Sequence, residues 1–279
     1  MDLTLLSSHP LYAFTGAAYA AAFAFYAMAF KSTKAIVGRL GTALMATAMV
    51  LNLGLIVSRW MTADRPPFKS LFETLVFLAV CFAAVYLVME LVLKTRVFGA
   101  LFAISCLGVL VFGLTKWDAE IVKLPPALQS AWFVPHVIVY FVGYGALFFA
   151  TAMSAVQLFK PTFTIQAGTI FKGAISLEDV AYHAVRFGFV TLTFGLLVGS
   201  IWAKGAWGDY WVWDPKENWS LVSWLVYAAY LHVRHVKSWR GNRAAWLTIL
   251  GFAVVMFTYL GMSMLPTAAE SAHVYQEPG

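Results

Sequence analysis

Eight apolar segments divide this chain from end to end, most of them about as long as a bilayer is thick. A helix crossing the hydrocarbon core needs roughly 20 mostly apolar residues, because lipid offers backbone groups no hydrogen-bond partner. The segments are Leu11–Phe30, Leu40–Ser58, Ser70–Met89, Val97–Thr115, Trp132–Phe159, Tyr182–Ala203, Trp219–Val233 and Ala244–Leu265. With 61% hydrophobic and 11% charged residues, and a mean hydropathy of +0.77, there is too little polar surface for a water-soluble globule. The expectation is an all-α, polytopic membrane protein with about eight transmembrane helices. Residues 1–279 read as a single transmembrane domain, without repeat or soluble module. The first segment is too long for a cleaved signal, and no basic residue precedes it.

Charge orients the spans. With the N-terminus outside, twelve of the nineteen Lys and Arg residues face the cytoplasm, among them Lys31, Arg39, Arg96, Arg186, Arg234 and Arg243. The C-terminus then also lies outside. The formal charge of +6 reflects this topology, so the lipid bilayer, and no nucleic acid, is the expected environment. Cys81 and Cys106 fall inside apolar spans, form no C-x-x-C and read as small core residues.

The segment between spans six and seven, residues 202–219, reads W-A-K-G-A-W-G-D-Y-W-V-W-D-P-K-E-N-W. It holds Trp202, Trp207, Trp211, Trp213 and Trp219, five of the eleven tryptophans. One or two tryptophans at a headgroup boundary need no special cause. Five, with Gly205 and Gly208 allowing turns, predict an external surface that stacks a planar apolar ring, with indole N–H groups donating to carboxylates. Haem has that form, an apolar macrocycle with two propionates. Lys204 and Lys216 are candidate charge partners or snorkelling lysines. Asp214-Pro215-Lys216-Glu217 also spells a capping box that opens span seven. Capping and ligand contact are therefore both open readings of Asp214 and Glu217, and they are compatible.

Haem iron needs axial ligands, and histidine is the common one. His136 opens span five on its outer side, and His273 lies in the outward tail beyond Pro266. Both share a side with the tryptophans. His232 lies thirteen residues beyond Trp219, roughly 20 Å deeper along a helix, next to Arg234. An ionisable residue at that depth is a functional candidate, with snorkelling to the cytoplasmic headgroups as the alternative. His183 and His235 read as structural or solvated, and His9 carries no other signal. Arg65-Pro66-Pro67-Phe68, followed by Glu73, reads as an ordered outer loop, and Gly143-Tyr144-Gly145 as close helix packing.

The constellation W-G-x-Y-W-x-W-D-P-K-E-x-W, the later L-H-V-R and an R-P-P-x-x-x-L-F-E-T segment together resemble the CcsA (ResC) family. These are subunits of system II cytochrome c synthesis, within the haem-handling superfamily that carries a tryptophan-rich WWD domain. The resemblance implies that His136 and His273 are axial ligands of an external haem b, and that His232 ligates a haem deeper in the membrane. A ResB/CcsB-like subunit would supply the second deep histidine. It further implies haem passage to the Trp-rich site, formed by Trp202, Trp207, Gly208, Trp211, Trp213, Asp214, Glu217 and Trp219. Thioether attachment there to a C-x-x-C-H apocytochrome c makes the chain a holocytochrome c synthase (haem lyase) subunit, with no nucleophile of its own. A thioredoxin-like thiol reductant is the remaining partner. The location implied is the cytoplasmic (inner) membrane, or a plastid's thylakoid membrane, with the site on the periplasmic or lumenal side. The alternative is a haem transporter or chaperone without ligation activity. A b-type electron-transfer subunit would need paired histidines within spans, and a regulator of tetrapyrrole synthesis would have no use for the tryptophans.

Overall fold

Helices occupy all eight apolar segments. The computed structural model describes residues 10–116, 124–167 and 173–261. In chain order the helices are α1 (Pro10–Ala29), α2 (Ala35–Ala63), α3 (Leu71–Leu93), α4 (Gly99–Leu114), α5 (Phe133–Phe159), α6 (Leu177–Trp207), α7 (Pro215–Val233) and α8 (Asn242–Met256). Strands β1 (Thr164–Ala167) and β2 (Gly173–Ser176) pair as a two-stranded sheet between α5 and α6 in sequence. Among the described residues, six helices are long and apolar enough to cross a membrane, α8 being counted through Gly261. The other two are α4, with 16 residues, and α7, whose first turn carries Lys216, Glu217 and Asn218. The protein is an all-α, polytopic membrane protein.

Local chemistry sets the boundaries. Ser70 accepts the Glu73 amide and Glu73 reaches back, a capping box that starts α3. Ser176 accepts the Asp179 amide at the start of α6. Gly208, at φ +89°, ends α6 in the left-handed conformation that glycine adopts without cost. Helix α6 therefore runs past the expected end at Ala203, and Trp202 and Trp207 sit on its last turns. Gly205 is helical too, and only Gly208 turns the chain.

The described residues fall into two compact units, a division that hydropathy does not mark. The first contains α1–α4 and most of the strand pair, and the second contains α5–α8. In the first unit α3 is central, with 56% of its membrane-length window buried, against 28% for α1 and α2. Cys81 and Cys106 are buried there as packing residues, with the Cys106 thiol 3.5 Å from the Ala79 carbonyl.

Two buried carboxylates organise this unit. Glu90 accepts hydrogen bonds from Tyr26 (2.6 Å), Tyr86 (2.8 Å) and Thr42 (2.5 Å), and pairs with Arg96 at 3.0 Å. Glycine gives Tyr26 its room, since a Cβ on Gly99 would lie 2.4 Å from the Tyr26 ring. Glu73 takes a two-pronged bond from Arg65, both contacts at 3.0 Å, and a third from Arg59 at 3.1 Å. Buried charge is tolerated only when paired and hydrogen-bonded, and both acids meet that condition.

In the second unit α5 is central, with 61% of its window buried, and packs against α6 and α8. Its seam with α6 is built on small residues. A Cβ on Gly143 would meet Thr191 at 2.5 Å, on Gly188 Leu147 at 2.6 Å, and on Gly195 Tyr140 at 2.6 Å. Such residues let helices approach where the hydrophobic effect supplies no drive between them. The close packing read from Gly143-Tyr144-Gly145 is realised at Gly143.

Candidate functional site

The tryptophans and His136 belong to the second unit, and the seam between α5 and α6 positions the histidine. His136 lies in the first turn of α5, half-buried, with Nδ1 3.0 Å from the Gly195 carbonyl oxygen. A carbonyl only accepts, so Nδ1 carries the proton. This is the arrangement by which a backbone carbonyl fixes the tautomer of a metal-binding histidine. Gly199 makes room for the ring, because a Cβ there would stand 2.6 Å from Cε1 and 2.7 Å from Nδ1. Tyr140 at 4.8 Å and Trp202 at 5.4 Å between ring centroids complete the surround.

Trp202 is only 3% exposed, which gives it a different part from the exposed tryptophans. Its Nε1 donates to the Ala127 carbonyl at 2.8 Å, and its ring packs on Phe133, His136 and Trp207. It braces the histidine. Trp207 is half-buried one turn and a half later, 4.9 Å from Trp202 between centroids.

Beyond Gly208 the chain bends through Tyr210 and reaches Asp214 without helix or strand, and the first turn of α7 grips it. The capping box expected from D-P-K-E is present. Asp214 accepts the Lys216 amide at 2.7 Å, while the Glu217 carboxylate accepts the amides of Val212 (2.9 Å) and Asp214 (3.2 Å). Both acids are buried, so at least one of the two open readings, the cap, is realised. Lys204 donates to the Gly208 carbonyl and lies 5.5 Å from the centre of the Tyr210 ring. Burial holds the Lys216 ammonium below its ordinary pKa, the Asp214 charge opposing the shift.

The aromatic surface itself comes from Tyr210 (59% exposed) and Trp213 (69% exposed). Trp211 stands edge-on to Trp213 at 5.9 Å, and its indole N–H is buried without a hydrogen-bond partner among the described residues. An unpartnered buried donor beside exposed aromatic faces suits a flat ligand that carries carboxylates.

Trp219 begins the apolar part of α7 and packs edge-on to Phe257 at 4.5 Å. There α8 widens into a π-helical segment, Phe257–Gly261. The Thr258 hydroxyl stands between the Val254 carbonyl of its own helix (2.9 Å) and the Trp219 carbonyl (3.2 Å), and it meets at 3.0 Å the Ser223 hydroxyl that also reaches Trp219, which pins the end of α8 to the Trp-rich segment. Thr258→Val is expected to lower thermal stability in detergent by about 1 kcal/mol, with Thr258→Ser unchanged. An unaltered melting curve for the valine variant would remove the pin.

His232 is exposed in the last turn of α7. Two residues on, buried Arg234 pairs with Asp179 at 2.7 Å and Glu178 at 3.4 Å, tying this end of α7 to the start of α6. His273 lies outside the described residues. Sequence reading missed Gly195, Gly199, Asn218, Ser223 and Thr258. The G-L-L-V-G run at Gly195–Gly199 is a small-x-x-x-small pattern and would have pointed to the seam.

Residues 68–268 match the family model described as "Cytochrome C assembly protein". The cytochrome c biogenesis protein CcsA of Gloeobacter violaceus is 31% identical, covering 94% of each chain. That of Chlamydomonas reinhardtii is 36% identical over 83% of this chain and 67% of its own. Among solved structures, the cytochrome c haem lyase CcmF superposes with a TM-score of 0.67 at 18% identity. That match covers 93% of this chain and 47% of the larger protein, and it speaks to the fold alone. Family model, identity and coverage agree: the chain belongs to the CcsA family of cytochrome c biogenesis proteins.

Proposed function

We propose that the chain binds haem at the Trp-rich end of its second unit and presents it to apocytochrome c for thioether attachment. The observation that carries this reading is the held imidazole of His136, whose Nδ1–H donates to the Gly195 carbonyl, the orientation typical of a metal-binding histidine. His273 in the tail is the second axial ligand. Trp213 and Tyr210 give the macrocycle an aromatic face, and the Trp211 N–H is the donor for a propionate.

The chemistry required is addition of a substrate thiol across each haem vinyl group. The cysteine S–H bond breaks, a C–S bond forms at one vinyl carbon and the proton ends on the other. Atoms and electrons balance without an oxidant, so the protein's task is orientation and exclusion of side reactions. Both nucleophiles come from the C-x-x-C-H segment, kept as thiols by a thioredoxin-like reductant. In this reading haem reaches the site from a deeper one ligated by His232, whose exposed position suits a second histidine from a ResB/CcsB-like subunit. The active side is the periplasmic or lumenal face.

The test is the optical spectrum of the purified chain with and without the ResB/CcsB-like subunit, oxidised and then dithionite-reduced. Bis-histidine bands are expected, and His232→Ala should deplete haem at the Trp-rich site when the partner is present. Full occupancy in that variant would sink the two-site path. Absence of haem from both preparations would sink the reading as a whole.

A further inference from the structure

Asn218 lies one residue beyond the capping box, yet it completes an unusual local arrangement. Its Nδ2 donates to the Trp213 carbonyl at 2.9 Å. Trp213 has φ +59°, in the left-handed region that a bulky L-residue enters only under strain. Glu217, the preceding residue, accepts the amides on either side of Trp213, those of Val212 and Asp214. The first turn of α7 therefore holds this stretch of backbone at two flanking amides and at the carbonyl between them. Strained conformers persist where their surroundings over-determine them, and three bonds do so here.

The result is an outward-facing indole. Trp213 is 69% exposed, although the two acids of the capping box beside it, Asp214 and Glu217, are buried. Next to it, two polar atoms are buried with no hydrogen-bond partner among the described residues: Trp211 Nε1 and Asn218 Oδ1. A flip of the Asn218 amide does not cure this, because it would set Oδ1 against the Trp213 carbonyl, acceptor to acceptor. Backbone strain, an exposed ring and unspent polar groups within one short segment mark a ligand surface held ready rather than a settled packing arrangement.

We propose that Asn218 is a positioning residue that holds Trp213 in the conformation that stacks the ligand, a planar macrocycle bearing carboxylates. The inference rests on the haem reading above. Without the Asn218 donor, the Trp213 peptide relaxes toward an ordinary backbone conformation and the indole leaves the ligand face. Asn218 itself need not touch the ligand.

The test uses the full chain in detergent and two readouts, haemin titration and amide hydrogen exchange over residues 212–214 without ligand. Asn218→Leu and the near-isosteric Asn218→Asp both lack the donor. They are expected to bind haemin about tenfold more weakly, with a shifted Soret band, and to exchange at 212–214 about tenfold faster. Asn218→Thr, which keeps a hydroxyl donor, is expected to restore both. Wild-type exchange and affinity in the leucine variant would overturn the proposal. So would a threonine variant as impaired as leucine, since side-chain shape rather than the donated bond would then be responsible. If the unsubstituted chain binds no haemin, the functional reading falls, and amide exchange in the ligand-free chain still decides whether Asn218 holds Trp213.

Discussion

Gly199→Ala is expected to strip haem from the Trp-rich site although every proposed ligand remains in the chain. The added methyl carbon would stand 2.6 Å from Cε1 and 2.7 Å from Nδ1 of His136, far inside van der Waals contact. The ring has little room to yield, with Tyr140 at 4.8 Å and Trp202 at 5.4 Å between centroids. It must therefore swing away, which also breaks the bond to the Gly195 carbonyl. Loss of a bond that orients a metal-bound histidine typically costs 10–100-fold in affinity, so haem retention should fall by about that factor. His136→Ala should remove the bis-histidine bands outright. Gly205→Ala is the control, because nothing among the described residues lies within 4 Å of a Cβ at that helical position. Its haem content should match the unsubstituted chain, with a slight gain in helix stability. A Gly199→Ala chain that keeps full haem and an unchanged spectrum would show that this ring orientation is not the one that binds iron.

The second large effect is on folding. Glu73 has no exposed side-chain surface, and it receives Arg65 through two bonds, Arg59 through one, and the backbone amides of Lys69 and Ser70. Glu73→Ala leaves two guanidinium groups facing a space their carboxylate has vacated. Breaking a buried pair from one side typically costs about 3–5 kcal/mol, and the amides that cap α3 lose their acceptor as well. The expected outcome is a sharp fall in folded yield and in thermal stability in detergent. Glu73→Gln should be milder, because its amide oxygen can still accept from the cap. Equal stability of the alanine variant and the unsubstituted chain would show that Arg59 and Arg65 find other partners at no cost.

Much of the secondary structure was legible because the bilayer imposes it. Each apolar segment had to become a helix to satisfy its backbone, and all eight did. The capping box at Asp214 was legible for a similar reason, since its chemistry lies within four consecutive residues. The end of α6 was not. The glycines of W-A-K-G-A-W-G look alike in sequence, yet Gly205 continues the helix and Gly208 stops it. Trp207 thereby moves from a loop onto a helix, and Trp202 turns inward to brace His136.

What the sequence determined by itself was the all-α membrane architecture, the cap of α7, and the tryptophan and histidine motifs that mark the CcsA family. These are local or periodic properties, fixed by residue chemistry over a few turns of chain. Only the tertiary structure decided which carbonyl holds His136, which arginines neutralise Glu73, that Thr258 closes on Trp219, and that Trp213 stands strained and exposed over Asn218. The partners in the first three lie at separations of 59, 14 and 8, and 39 residues, joined by helix packing that no short stretch of sequence encodes. The Trp213–Asn218 bond spans only 5 residues, yet it depends on a backbone angle that nothing in W-V-W-D-P-K-E-N announces.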